Sequence, residues 1–248
     1  MLCGIDHVVI LVPALEAAVE SYTRLGFTVV AGGRHNVATH NALIVFQDGA
    51  YIELIAFWEV APKHRWHRYL ALGGGLVDYC MRTDDLLGDV AALRAAGIAM
   101  SEDQPMSRLR PDGYRLEWKL ALATETQGVT PFLIEDATPR EERVPRRTEH
   151  ANGVTGISTL TVAVSDRDVP ERLAALLGES EPLEEGVRYV NAGHRLDFVG
   201  PGSHGAMAEY VASRGGGGVF ALTLKTTGAE ATLDPAQAQG ARLSLVHA

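Results

Sequence analysis

The sequence predicts an α+β fold assembled from repeated βαβββ modules. Three observations predict it. Two successive stretches show the order strand, helix, three strands. A polar, proline-containing segment then interrupts the pattern, and short runs of the first half recur in order in the second.

The elements follow in order. Residues 4–12 (GIDHVVILV) read as a strand, and 13–25 as a helix with Pro13 in its first turn and Gly26 behind it. Strands follow at 27–31, 41–46 and 51–57, the last two joined by a Gln47-Asp48-Gly49 turn. The second module repeats the order. It has a strand at 76–83, a helix at 84–96 capped by Asp84 or Asp85, a weak strand near Ile98, and strands at 114–121 and 131–135. The two modules make a domain of residues 1–136. Residues 137–152 read as a linker whose basic cluster is a solvated surface.

Residues 153–248 restart the pattern in shortened form. Gly4-Ile5-Asp6-His7-Val8-Val9 aligns with Gly156-Ile157-Ser158-Thr159-Leu160-Thr161, which leads into a helix at 169–177. Gly49-Ala50-Tyr51-Ile52-Glu53-Leu54 aligns with Gly193-His194-Arg195-Leu196-Asp197-Phe198, and Gly73-Gly74-Gly75-Leu76 with Gly216-Gly217-Gly218-Val219. Matches kept in order imply an internal duplication. The last module is compressed to a short helix at 235–238 and a strand at 242–247.

Composition narrows the function. With 248 residues, 46% of them hydrophobic, the chain can bury an ordinary core, and its net charge of −9 offers no footprint for nucleic acid. A small molecule is the expected partner, with a homodimer left open. No run reaches the roughly 20 apolar residues of a membrane span, and no basic region precedes residues 8–15, so a soluble cytoplasmic protein is expected. Cys3 and Cys80 are too few for a disulfide framework and read as buried thiols.

In order along the chain, IDHVVILV, THN at Thr39-His40-Asn41, YIELIAF at 51–57, RLRPDG at 108–113 and PFLIE at 131–135 together resemble the glyoxalase-like domain family. That family lies within the vicinal oxygen chelate (glyoxalase/bleomycin resistance/dioxygenase) superfamily. The resemblance implies that paired modules form a curved mixed sheet, with helices outside and a site on the concave face. It also implies metal ligands on the first and last strands of each module, which by position are His7, Glu53, Asp78 and Glu135. Asp78 departs from the family pattern, where His or Glu is usual.

The residues support a polar site independently. Alternation puts Ile5, His7, Val9 and Leu11 on one face, so His7 interrupts an apolar surface and needs a partner. Glu53, on the face of Tyr51 and Ile55, is costly to bury unless paired, protonated or metal-bound. One imidazole and three carboxylates would suit Mn, Mg or Fe(II) better than a thiolate-type zinc site, with Ni and Zn left open. A metal-free site is equally compatible, provided a carboxyl protonates or a basic side chain approaches.

Glu53 or Glu135 would move a proton. His40, Asn41, Arg108, Arg110 and Trp118 are the ligand-binding candidates, the arginines as an anion clamp. Trp66 reads as part of a surface helix. The second half carries Thr159, Asp197 and about Ala221 at the places of His7, Glu53 and Asp78, so no second site is expected. The leading expectation is an enzyme, a lyase, isomerase or dioxygenase, on a small oxygenated or carboxylate-bearing metabolite. The alternative is a metal-free protein that binds or sequesters a small molecule. A purely structural module would leave His7 and Glu53 bonded only to each other beside no cavity.

Overall fold

The computed structural model describes residues 2–165, 168–200, 202 and 205–248. The first module comprises β1 (Leu2–Leu11), α1 (Leu15–Arg24), β2 (Val30–His35), β3 (Thr39–Val45) and β4 (Tyr51–Phe57). The second comprises β5 (Gly75–Thr83), α2 (Leu86–Ala95), β6 (Gln104–Leu109), β7 (Arg115–Ala121) and β8 (Phe132–Asp136).

Their eight strands close into a barrel in the order β1-β4-β3-β2-β6-β7-β8-β5. Each module pairs its first and last strands in parallel, β1 with β4 and β5 with β8. Antiparallel pairs β1/β5 and β2/β6 then join the modules. At the second seam Gly33 has φ +147, and a Cβ there would lie 2.1 Å from the Leu109 carbonyl oxygen. Closure of the barrel therefore requires glycine at this point.

Most predicted elements hold with small boundary shifts, including the Asp85 cap, whose carboxylate accepts from the Gly88 N–H at 3.0 Å. Two do not. Ile98 is in no strand, because its N–H closes the end of α2 on the Leu93 carbonyl and its side chain enters the core. The strand of that module is β6, a largely polar run without an alternating signal. Residues 235–238 form turns rather than a helix, and the Ala238 carbonyl accepts from the Tyr22 hydroxyl of α1.

The remaining elements are α3 (Arg140–Arg143), β9 (Val154–Ala163), α4 (Asp168–Arg172), α5 (Ala174–Leu177), β10 (Ser180–Leu183), β11 (Gly186–Asn191) and β12 (His194–Val199). They are followed by α6 (Ala206–Arg214), β13 (Gly218–Thr226), β14 (Ala231–Thr232) and β15 (Leu243–His247). Seven of these strands form a sheet ordered β10-β11-β12-β9-β13-β15-β14.

Its register parallels that of the barrel. His7 pairs with Tyr51 and Cys80, and Thr159 pairs with Arg195 and Thr223. These are the partners that the sequence alignment requires. Among the described residues no counterpart of β6 stands in the second sheet order, which leaves it open where the barrel is closed. One apolar core joins the outer barrel face (Val8, Ile10, Tyr79) to this sheet (Leu160, Leu222). Separate inner clusters line the barrel.

Candidate active site

Inside the barrel lies a cavity of about 330 Å³. Its aromatic and aliphatic walls include Trp66, Trp118, Phe132, Ile55 and Leu120, and its polar groups converge from five strands, α3 and two loops. His7, from β1, is buried and stacks on Tyr51 of β4 at 4.8 Å between ring centroids. Its Nδ1 is 2.7 Å from the Asp6 carboxylate, so Nε2 is the atom left to face the cavity, 3.4 Å from Glu53 Oε2.

Consecutive residues of a regular strand point to opposite faces, yet Asp6 and His7 bond to one another in the interior. A register irregularity between Ile5 and His7 makes this geometry available. The expected face of Ile5, His7, Val9 and Leu11 is corrected accordingly, because Ile5 packs in the outer core while Val9 and Leu11 line the barrel.

Glu53 is surrounded by compensating groups. Asn41 Nδ2 donates to Oε1 at 2.5 Å, and the His35 Nε2 atom lies 3.7 Å from the same oxygen. Burial opposes its charge, but His7, His35, the Asn41 bond and Arg108 outweigh that and hold the carboxyl below its ordinary range. His35 itself is pushed down to about 4, by burial first and against the pull of Glu53.

Arg108, 3% exposed, donates to the Arg143 carbonyl at 2.9 Å and points Nη1 toward Asn41 Oδ1 at 3.4 Å, while its Nε has no hydrogen-bond partner. A buried guanidinium with a bare N–H is costly to the fold.

Arg143 corrects the expectation that the basic cluster of residues 137–152 is a solvated surface. Buried from α3, it forms ion pairs with Asp6 and Asp136 and donates to the Tyr51 hydroxyl at 2.8 Å. Arg140 also reaches Asp6. Burial opposes the charge of Asp6, but these arginines and His7 hold it well below the ordinary range. Val144 packs with Leu43, Val45 and Tyr51, so residues 137–152 act as a strap that fills part of the barrel interior.

The predicted residues divide. His7, Glu53, Asn41, Arg108 and Trp118 line the cavity. Asp78 stands behind its wall, accepting from Trp66 Nε1 at 2.9 Å and paired with Arg65 at 3.2 Å; burial raises its pKa against those partners. Glu135 faces away, accepting from the Leu86 N–H at the start of α2, since the inward residues of β8 are Phe132 and Ile134. His40 lies on the opposite face of β3 from Asn41. Arg110 forms exposed hairpin pairs with Asp112 and Glu142. Trp66, read as surface, is buried in the cavity wall.

The four ligands implied by the resemblance therefore do not meet. Only His7 and Glu53 do. A second trio, Asp6, His7 and Cys80, offers ligand atoms within 4.8 Å of one another among the described residues. A cation there would share Asp6 with two guanidinium groups, and burial holds the Cys80 thiol well above its usual range. The first donor set is not assembled, and in the second a divalent cation would compete with the two guanidinium groups for Asp6. At the place of the second half equivalent to His7 and Glu53, Thr159 stands without an imidazole and Asp197 is paired with Arg188 at 2.6 Å.

A family model described as a glyoxalase-like domain matches residues 5–177. No curated protein matches the chain. Among solved structures, a hypothetical protein from Staphylococcus aureus superposes with TM-score 0.75 at 13% identity, covering 98% of each chain. A 4-hydroxymandelate synthase variant from Streptomyces coelicolor superposes with TM-score 0.61 at 16% identity, over 91% of this chain and 72% of the other. These likenesses show the fold. No helix among the described residues is long and apolar enough to cross a membrane.

Proposed function

We propose, from the premise that the chain belongs to the glyoxalase-like domain family, that it is a proton-transfer enzyme acting on a small carboxylate-bearing metabolite inside the barrel. One observation carries the reading: His7 Nε2 and Glu53 meet at a cavity whose lining includes the buried guanidinium of Arg108. Arg108 receives the anionic end of the ligand, and the aromatic walls hold its carbon skeleton away from water. Glu53, kept ionised, accepts a proton from the bound molecule. His7, oriented by Asp6, returns one, while Arg108 stabilises the negative charge that develops between the two steps.

The test is a panel of small hydroxy and keto acids incubated with the protein in D₂O, with carbon-bound hydrogen exchange followed by NMR. Exchange by the parent should fall about 10²-fold or more in Glu53→Gln and His7→Ala. Elemental analysis of protein purified without chelator belongs beside it. Stoichiometric metal lost on His7→Ala would overturn the metal-free mechanism. The apolar walls also favour a second reading, a binding or sequestering protein, which saturable binding without exchange would support.

A further inference from the structure

A second cavity, of about 430 Å³, lies between the two halves and shares one wall residue, Gln127, with the barrel cavity. Its lining is mainly polar. The loop at residues 124–129 supplies one side and the glycine run Gly215-Gly216-Gly217 after α6 supplies another. Arg68 and Arg214 converge there, each with its guanidinium carbon 4.7 Å from the Tyr69 ring centroid.

Both arginines are already oriented. Arg68 donates to the Tyr69 hydroxyl at 2.6 Å, and Arg214 donates to the Gly74 carbonyl at 2.9 Å while also facing the Tyr210 ring. Neither has a carboxylate partner within ion-pair distance among the described residues. Glu125 is the acid on the lining, and its side chain is exposed. A Cβ at Gly215 or Gly216 would meet nothing within 4 Å, so this stretch of backbone borders open space.

Two guanidinium groups without an ion-pair partner among the described residues, beside open backbone, form a receptor for a compact anion. We infer that this cleft is a second subsite, which takes a phosphate-class group on the tail of the molecule whose carboxylate head enters the barrel past Gln127. The inference rests on the proposed function for the head group, whereas the cleft can be tested by itself. It makes the substrate a phosphorylated carboxylic acid rather than a simple one.

Inorganic phosphate titrated into the full chain by calorimetry tests the cleft. Saturable binding should weaken about 10-fold or more in Arg68→Gln and persist in Arg108→Met. Arg68 is exposed, so its replacement should leave the melting temperature unchanged, and Arg214→Gln supplies a second variant. An absence of saturable binding by the parent overturns the inference. So does binding lost in Arg108→Met but not in Arg68→Gln, which would move the anion to the barrel.

Glycerate and 3-phosphoglycerate then test the link between the sites. The phosphorylated acid should bind the parent about 10-fold or more tightly, and that advantage should vanish in Arg68→Gln. Equal affinities in the parent overturn the two-site substrate and leave the barrel reading intact. Both acids binding Arg108→Met as well as the parent would instead remove the barrel clamp.

Discussion

Arg108 shows how one residue can serve a ligand at the expense of the fold. Its guanidinium is almost fully buried, one N–H is bare, and burial lowers its pKa against the pull of Tyr51 and Glu53. Replacing it with Met removes a desolvated charge and fills similar volume. The same change leaves the Arg143 carbonyl unsatisfied and Glu53 less compensated, so Arg108→Met is expected to destabilise by about 1–2 kcal/mol while weakening carboxylate binding about 10-fold or more. Urea denaturation and calorimetry on one preparation check both halves. A loss of several kcal/mol would make Arg108 a structural residue instead. The sequence marked this arginine by its type and its place beside a turn, but Arg110, two residues away, carried the same marks. Only the packing of β6 against β2 and the strap separates a buried clamp from an exposed hairpin charge.

At the scale of the element, a single residue of register decides what a carboxylate does. Glu135 and Asp136 adjoin on β8, and the acidic end of an apolar strand does not reveal which faces inward. The structure turns Ile134 into the cavity and sets Glu135 against the first N–H of α2, where a negative charge also suits the helix dipole. Glu135→Ala should thus cost about 0.5–1 kcal/mol and leave turnover unchanged. Thermal melts and the exchange assay check this, and a 10²-fold loss of activity would restore Glu135 to the site. First strands were legible because His7 and Asp78 break long apolar runs. The strap was not, since its arginines are indistinguishable in sequence from a solvated surface until Asp6 and Asp136 are placed opposite them. Removing Arg143 leaves those two carboxylates with less compensation in a buried setting, so Arg143→Met should destabilise by about 3–5 kcal/mol.

For the whole molecule, the buried titratable groups add up to one pH dependence. Burial pushes His35 and His64 down to about 4, the latter helped by Arg65 and His67, and burial also lowers His40 and His150. Unfolded, all four regain the ordinary histidine range near 6.5. Between about 6.5 and 4 the unfolded chain therefore binds more protons than the folded one, and stability falls as pH falls. Asp6 and Glu53, held below the carboxylate range by His7 and the neighbouring arginines, extend the same slope to lower pH. Asp78 acts in the opposite sense, because its raised pKa lets the folded state take up a proton first. His35, with a side chain only 8% exposed, contributes about 3 kcal/mol between neutrality and pH 4 by itself. Urea midpoints measured across that range should decline steadily toward acid, and less steeply in His35→Gln. Equal midpoints at both ends, or the same slope in parent and variant, would mean that the imidazole beside Glu53 gains its proton as readily in the barrel as in water.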